Sequence, residues 1–216
     1  MNSPDYHDYV IKDGKFIGEF EQMYQRVADP WHCVGQVGSF KNSLLLGAVH
    51  HVGGATRIKR ALDVGCGLGV LTERLRQTLP SAEWHACDVS ATAVERATQE
   101  YPGVHFFVQD LSRIETLPFE PSSLDLITMS EVMWYVLPHL SAIFAEFYRL
   151  LRSGGHVLLL QYFLSPEEQS YGKEIVAGPN DLLRFVSASG FEIRQEIYVG
   201  ACAPQDLLLL AMKRSL

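Results

Sequence analysis

From Arg60 onward the chain alternates short apolar runs with helix-length amphipathic runs, and no other feature narrows its fold so far. The apolar runs are "ALDVG" (61–65), "EWHACD" (83–88), "VHFFVQ" (104–109), "LDLITMS" (124–130) and "HVLLLQYF" (156–163). Between them lie helical patterns starting near Val70, Ala91 and Tyr135, the last running to about Leu151 with a break at Pro138. Helical crossovers of this length make consecutive strands parallel and lay helices on both sheet faces. The expected fold is an α/β, doubly wound, mostly parallel sheet. Near the C-terminus a helix over 179–189 precedes "FEIRQEIYVG" (191–200) and "DLLLLAMKR" (206–214). Two strands joined by so few residues must be antiparallel, so a C-terminal hairpin is expected.

The N-terminal part has a different pattern. Residues 1–15 are polar and turn-rich and read as a loose arm that orders on ligand binding. Phe16, Phe20, Met23, Tyr24 and Val27 fall at helical spacing over 16–28, punctuated by Pro30. A second helix is expected over 38–52, ending at the Gly53-Gly54 pair. The expected organisation is an arm and lid helices over 1–55 and an α/β body over 56–216, in one compact unit suited to 216 residues.

A net charge of −7 opposes general attraction to nucleic acid. The dense basic cluster "RIKR" (57–60) reads as a solvated lead-in to a strand. Cys33, Cys66, Cys87 and Cys202 form no C-x-x-C pair and accompany no secretory signal, so reduced thiols and a cytoplasmic location are expected. The apolar run near 207–212 is far below spanning length, and no membrane role is expected. His50-His51 are adjacent, and His32-Cys33 match no ligand spacing, so no metal site is expected.

The site should lie where the first strand turns into its helix, beyond the carboxyl ends of the strands. That turn reads "DVGCGLG". Gly65, Gly67 and Gly69 give G-x-G-x-G, with Val70 where a dinucleotide fingerprint needs its third glycine. No Lys-Ser/Thr pair follows, as a phosphate loop would require. Asp63, two residues ahead of the loop, would repel a pyrophosphate but attract a cation or accept from an ammonium group, directly or through water. Asp88 ends the second strand, where an acid can accept from both hydroxyls of a ribose. Asp110 ends the third, where it can accept from an adenine amino group while Leu111 donates its backbone N–H. Each acid has a competing role as a cap of the turn that follows it.

With these motifs in order, the chain resembles the class I S-adenosylmethionine-dependent methyltransferases: "LDVGCGLG", "CDVS", "VQDL", "LDLITMSEVMWYV" and "LLRSGGHVLLL" carry the resemblance. It implies a seven-stranded sheet and a bound sulfonium cofactor, S-adenosyl-L-methionine, released as S-adenosyl-L-homocysteine. It also implies that Gly65, Cys66, Gly67 and Gly69 lie under the cofactor's amino acid end, with Val89 and Ser130 among its contacts. A narrower resemblance, on "DPWH" (29–32), "SFKNSLLLGAV" and "SEVMWYV", is to the nodulation-type N-methyltransferases of amino sugars and small amines.

For methyl transfer to an amine, a group must orient the nitrogen and accept its proton. Glu131, just past the fourth strand, is the best-placed acceptor, with a cap or loop anchor as its alternative role. Tyr135 would orient substrate or cofactor, Trp134 would wall off water, and Tyr162 is a weaker candidate. In the lid, Tyr24 and Trp31 would offer aromatic surface to the sulfonium, and His32 is a second candidate base. The expected substrate is a small molecule, by N-methylation of an amine or amino sugar. A small-molecule O-methyltransferase and a non-catalytic cofactor-binding subunit are the alternatives, and a monomer or homodimer is expected.

Overall fold

The computed structural model describes residues 8–36, 38–55, 58–200 and 204–214. Arg57, Cys202 and residues 1–7 of the arm, each given an expectation above, lie outside them.

The chain opens with a small antiparallel hairpin, β1 (Ile11–Lys12) and β2 (Lys15–Phe16), followed by helices α1 (Phe20–Arg26), α2 (Cys33–Gln36) and α3 (Phe40–Ala55). The alternating part then runs β3 (Arg60–Val64), α4 (Val70–Thr78), β4 (Glu83–Asp88), α5 (Ala91–Glu100) and β5 (His105–Val108). A 3-10 segment (Leu111–Thr116) leads to β6 (Leu124–Ser130), α6 (Leu140–Leu150), β7 (Leu151–Phe163), α7 (Pro179–Ala188), β8 (Phe191–Val199) and β9 (Gln205–Lys213).

The seven long strands form one sheet in the order β5-β4-β3-β6-β7-β9-β8, parallel from β5 to β7, with β9 inserted antiparallel between β7 and β8. The doubly wound sheet and its antiparallel C-terminal hairpin are as the alternation predicts. The order reverses at β3, so the carboxyl ends of β3, β4 and β6 open onto one crevice. Both faces are dry. Leu62, Ile127, Leu159 and Leu209 pack under Phe144, Phe147 and Val186 of α6 and α7. Ala61, Leu126, Leu158 and Leu208 pack under Leu45 and Val49 of α3 and Leu75 of α4. Burial on both faces is why these strands read as unbroken apolar runs.

Five features differ from expectation. The arm is not loose over 8–15: Asp13 and Gly14 take φ +50° and +70°, the two left-handed residues of a tight hairpin turn, and Tyr9 and Val10 are buried. Phe16 belongs to that hairpin, so the expected 16–28 helix starts only at Phe20. Helix α3 runs through Gly53-Gly54, with Gly53 packed closely against the Leu79 side chain. The helix expected from Tyr135 begins at Leu140, after two 3-10 turns (Met133–Tyr135 and Leu137–His139), the second holding Pro138 in its first turn. The final parallel strand starts at Leu151, five residues before its expected start.

Candidate functional site

A cavity of about 1330 Å³ opens over the carboxyl ends of the strands. Its floor is Asp63, the glycine loop, Asp88, Val89, Asp110, Leu111, Ser130 and Glu131, and its roof is the hairpin, α1 and the Trp31–Cys33 turn. All the residues expected at the site line it except Gly69, which caps α4 behind the loop. A methyl group on Gly69 would strike Phe106 and Ala97, so its role is close packing of α4 against the sheet.

Asp63 is buried on β3, and its carboxylate accepts from Thr72 Oγ1 at 2.5 Å and Thr128 Oγ1 at 2.7 Å. Burial pushes its pKa up to about 6, against the pull of those two hydroxyls. Asp88 accepts from the Gly67 N–H at 2.8 Å and the Ser90 N–H at 3.0 Å, which ties the glycine loop to the end of β4. Burial raises its pKa too, although the backbone N–H groups oppose it. Each carboxylate oxygen has a second lone pair, so both acids retain acceptor capacity toward a ligand. Asp110 accepts from Ser112 N and Oγ at 2.8 and 2.6 Å, the capping role weighed against adenine contact.

Gly67, at φ +53°, sits under the lid: a Cβ there would come 2.7 Å from the Tyr24 hydroxyl. Trp31 Nε1 donates to that hydroxyl at 3.0 Å. Cys66 is half-buried, with Sγ 3.7 Å from the Gly67 carbonyl, and burial holds its thiol protonated. Tyr135 reaches up into an aromatic cluster, 5.3 Å from Phe20, 5.7 Å from Trp31 and 6.5 Å from Phe16 between ring centroids. Phe16, Phe20 and Tyr171 were not taken as site residues from the sequence; the Asp-Gly turn ahead of "KFIGEF" is the signal that a hairpin delivers Phe16, which stacks on Tyr171. Trp134 donates from Nε1 to the Tyr162 carbonyl at 2.9 Å and packs edge-on against Phe163.

Glu131 has φ +59°, a conformation that costs a non-glycine residue of order 1–3 kcal/mol and persists only where its surroundings fix it. Here they do. Its Oε2 accepts from Gln161 Nε2 at 3.1 Å and Tyr162 N at 3.0 Å, and its Oε1 accepts from Lys41 Nζ at 2.7 Å. Burial raises the Glu131 pKa while the Lys41 charge opposes the rise. Gln161 was missed, although a glutamine inside the apolar run "LLLQYF" was the available signal. Exposed His32, at φ +53°, lines the same cavity from the lid.

Seven carboxylates line the cavity (Asp8, Asp13, Asp63, Asp88, Asp110, Glu131 and Glu168) against two lysines, Lys12 and Lys41, among the described residues. The half over β3 and β4 has acids and open glycine backbone and no lysine or arginine. It suits a cation rather than a phosphate.

A family model described as a methyltransferase domain matches residues 61–155. That match covers 95 of the 216 residues, from the start of β3 into β7. It is similar to a phthiotriol/phenolphthiotriol dimycocerosates methyltransferase of Mycobacterium ulcerans, at 31% identity over 123 residues, 56% of this chain and 44% of that protein. It is also similar to a malonyl-[acyl-carrier protein] O-methyltransferase of Hahella chejuensis, at 36% over 132 residues, 59% of this chain and 45% of that protein. The chain thus spans less than half the length of these curated relatives. The solved N-methyltransferase NodS of Bradyrhizobium japonicum, in complex with S-adenosyl-L-homocysteine, superposes with a TM-score of 0.69 at 17% identity, over 90% of this chain and 98% of that one. S-adenosylmethionine fits this cavity on the chemistry of its lining. Asp63 and Asp88 are carboxylates with acceptor positions left for polar groups such as its ammonium and ribose hydroxyls, Gly67 offers bare backbone, and Tyr24 and Trp31 are aromatic surface of the kind a sulfonium favours. Among the described residues no helix is long and apolar enough to cross a membrane.

Proposed function

We propose that this chain transfers a methyl group from S-adenosylmethionine to the amine nitrogen of a small molecule. The observation that carries this reading is the acid-rich, aromatic-roofed cavity: carboxylates and ring faces both favour a cationic acceptor over an anionic one. Its volume exceeds the ~300–1,000 Å³ usual for one drug-sized ligand, which supports room for a cofactor and an acceptor together. When bound, S-adenosylmethionine supplies a methyl already activated by its sulfonium.

The remaining work belongs to the chain. Asp63 and Asp88 hold cofactor polar groups, the Phe16, Phe20, Trp31 and Tyr135 cluster excludes water, and Glu131 accepts a hydrogen bond from the amine and then its proton. The acidic lining also argues against a nucleic acid acceptor, whose phosphates it would repel.

The test is transfer from labelled S-adenosylmethionine to a panel of amines and phenols. Amines are expected to be labelled, and Glu131→Gln to lower turnover by about 10²–10⁴-fold with cofactor affinity unchanged by calorimetry. Labelling of phenols alone would overturn the amine reading, and undiminished turnover in Glu131→Gln would remove that residue from the chemistry.

A further inference from the structure

Lys41 is on the first turn of α3, and its ammonium crosses into the acceptor side of the cavity. It stands 2.7 Å from Glu131 Oε1, 3.6 Å from Asp206 Oδ1 and 6.0 Å from the centre of the Tyr162 ring. This is a primary ammonium held by two carboxylates beside an aromatic face. A small amine would seek the same surroundings.

The lone pairs show where such an amine can bind. Both acceptor positions of Glu131 Oε2 are filled by Gln161 and Tyr162, so a ligand can reach only Oε1, where Lys41 already holds one of the two positions and a second ammonium at the other would meet its like charge. Asp206 Oδ1 is buried and accepts no hydrogen bond. One ammonium therefore serves two carboxylates. The residues that build this corner come from four separate elements, and the strained backbone at Glu131 aims its carboxylate there.

We infer that Lys41 is a placeholder for the acceptor: its ammonium occupies the position at Glu131 Oε1 that the substrate's ammonium takes, and the substrate binds by displacing it. This rests on the amine reading above and adds a specificity-determining residue to it. Exchanging one ammonium for another keeps Glu131 paired throughout, so the corner never holds an uncompensated carboxylate. A neutral alcohol offers no charge in exchange. The lysine thereby sets a threshold that only a cationic acceptor crosses.

The test uses n-butylammonium as the probe and butan-1-ol as its neutral counterpart, titrated by NMR into the protein saturated with S-adenosylhomocysteine. Lys41→Met is expected to bind n-butylammonium roughly tenfold more tightly than the native chain, as it would if Lys41 filled the corner in about nine of ten molecules. Lys41→Arg, which keeps a cation, should stay near the native value, and butan-1-ol should bind the native chain and Lys41→Arg more weakly than n-butylammonium does. Equal n-butylammonium affinity in the native chain and Lys41→Met would overturn the placeholder and leave the amine reading standing. No n-butylammonium binding to any folded, cofactor-loaded variant would overturn both. Should Lys41→Met fail to fold, the native protein gives the answer by limited acetylation and mass spectrometry. Displaced Lys41 becomes more reactive as n-butylammonium is added, whereas unchanged or lowered reactivity sinks the inference.

Discussion

Asp63 is a carboxylate whose ionisation depends on what lies above it. Without a ligand, burial keeps its pKa up at about 6. An ammonium group beside it would favour the ionised form and lower that value, so binding between the two values releases a proton. Cofactor affinity is therefore expected to rise with pH up to about 6 and level off above it. Calorimetry in buffers of different ionisation enthalpy would detect the released proton near pH 5, and Asp63→Asn should bind weakly with no such pH dependence. A flat native profile would exclude Asp63 as the ammonium's partner. The acids at the strand ends were legible in the sequence because each follows an apolar run directly. Lys41 and Gln161 were not, since their partner Glu131 lies 90 and 30 residues away and spacing carries no record of such contacts.

At the level of elements, one side chain fastens the roof to the floor. Glu21 on α1 accepts from Ser90 Oγ and Thr92 Oγ1 at 2.6 Å each and from the Thr92 N–H at 3.2 Å, at the start of α5. An acid at a helix N-terminus also meets the positive end of its dipole. The Ser90 and Thr92 hydroxyls hold the Glu21 pKa down to about 2, from an ordinary value of 4.5. A depressed carboxylate stabilises the docked form fully above its unperturbed pKa and loses that contribution as pH falls toward the depressed value. The roof should therefore loosen between about pH 4.5 and 2. Glu21→Ala is expected to cost on the order of 1 kcal/mol of docking at neutral pH, after solvent screening. Hydrogen exchange should then quicken in α1 with the sheet unaffected; unaltered α1 protection would refute the clasp. The sheet strands were readable from apolar runs because both faces are buried, but the roof is half-buried and its elements short. There the Asp13-Gly14 turn outweighed the helical spacing of Phe16 and Phe20.

Across the whole molecule, α3 differs from the segments before it in what it covers. Its Leu45, Val49 and Val52 close the sheet face over Leu158 and Leu208, whereas α1 and the hairpin close the cavity. Leu45→Ala is expected to destabilise the fold by about 2–5 kcal/mol, the usual cost of a buried leucine. Phe20→Ala should instead weaken ligand binding with a smaller change in denaturation midpoint. Urea unfolding of both variants checks this, and equal losses of stability would mean that the roof and the sheet unfold as one unit.

The long-range fastenings of α1 and α3 also have an order in time. Glu21 must wait for Ser90 and Thr92, 69 and 71 residues further along, and Lys41 for Glu131, 90 residues further. At ~5–20 residues per second of synthesis, that last interval is several seconds of translation. These segments thus emerge from the ribosome well before their partners do. Until those partners arrive, the rings of Phe20 and Trp31 have no cavity to close, which makes this stretch one that a chaperone's cover would serve during synthesis.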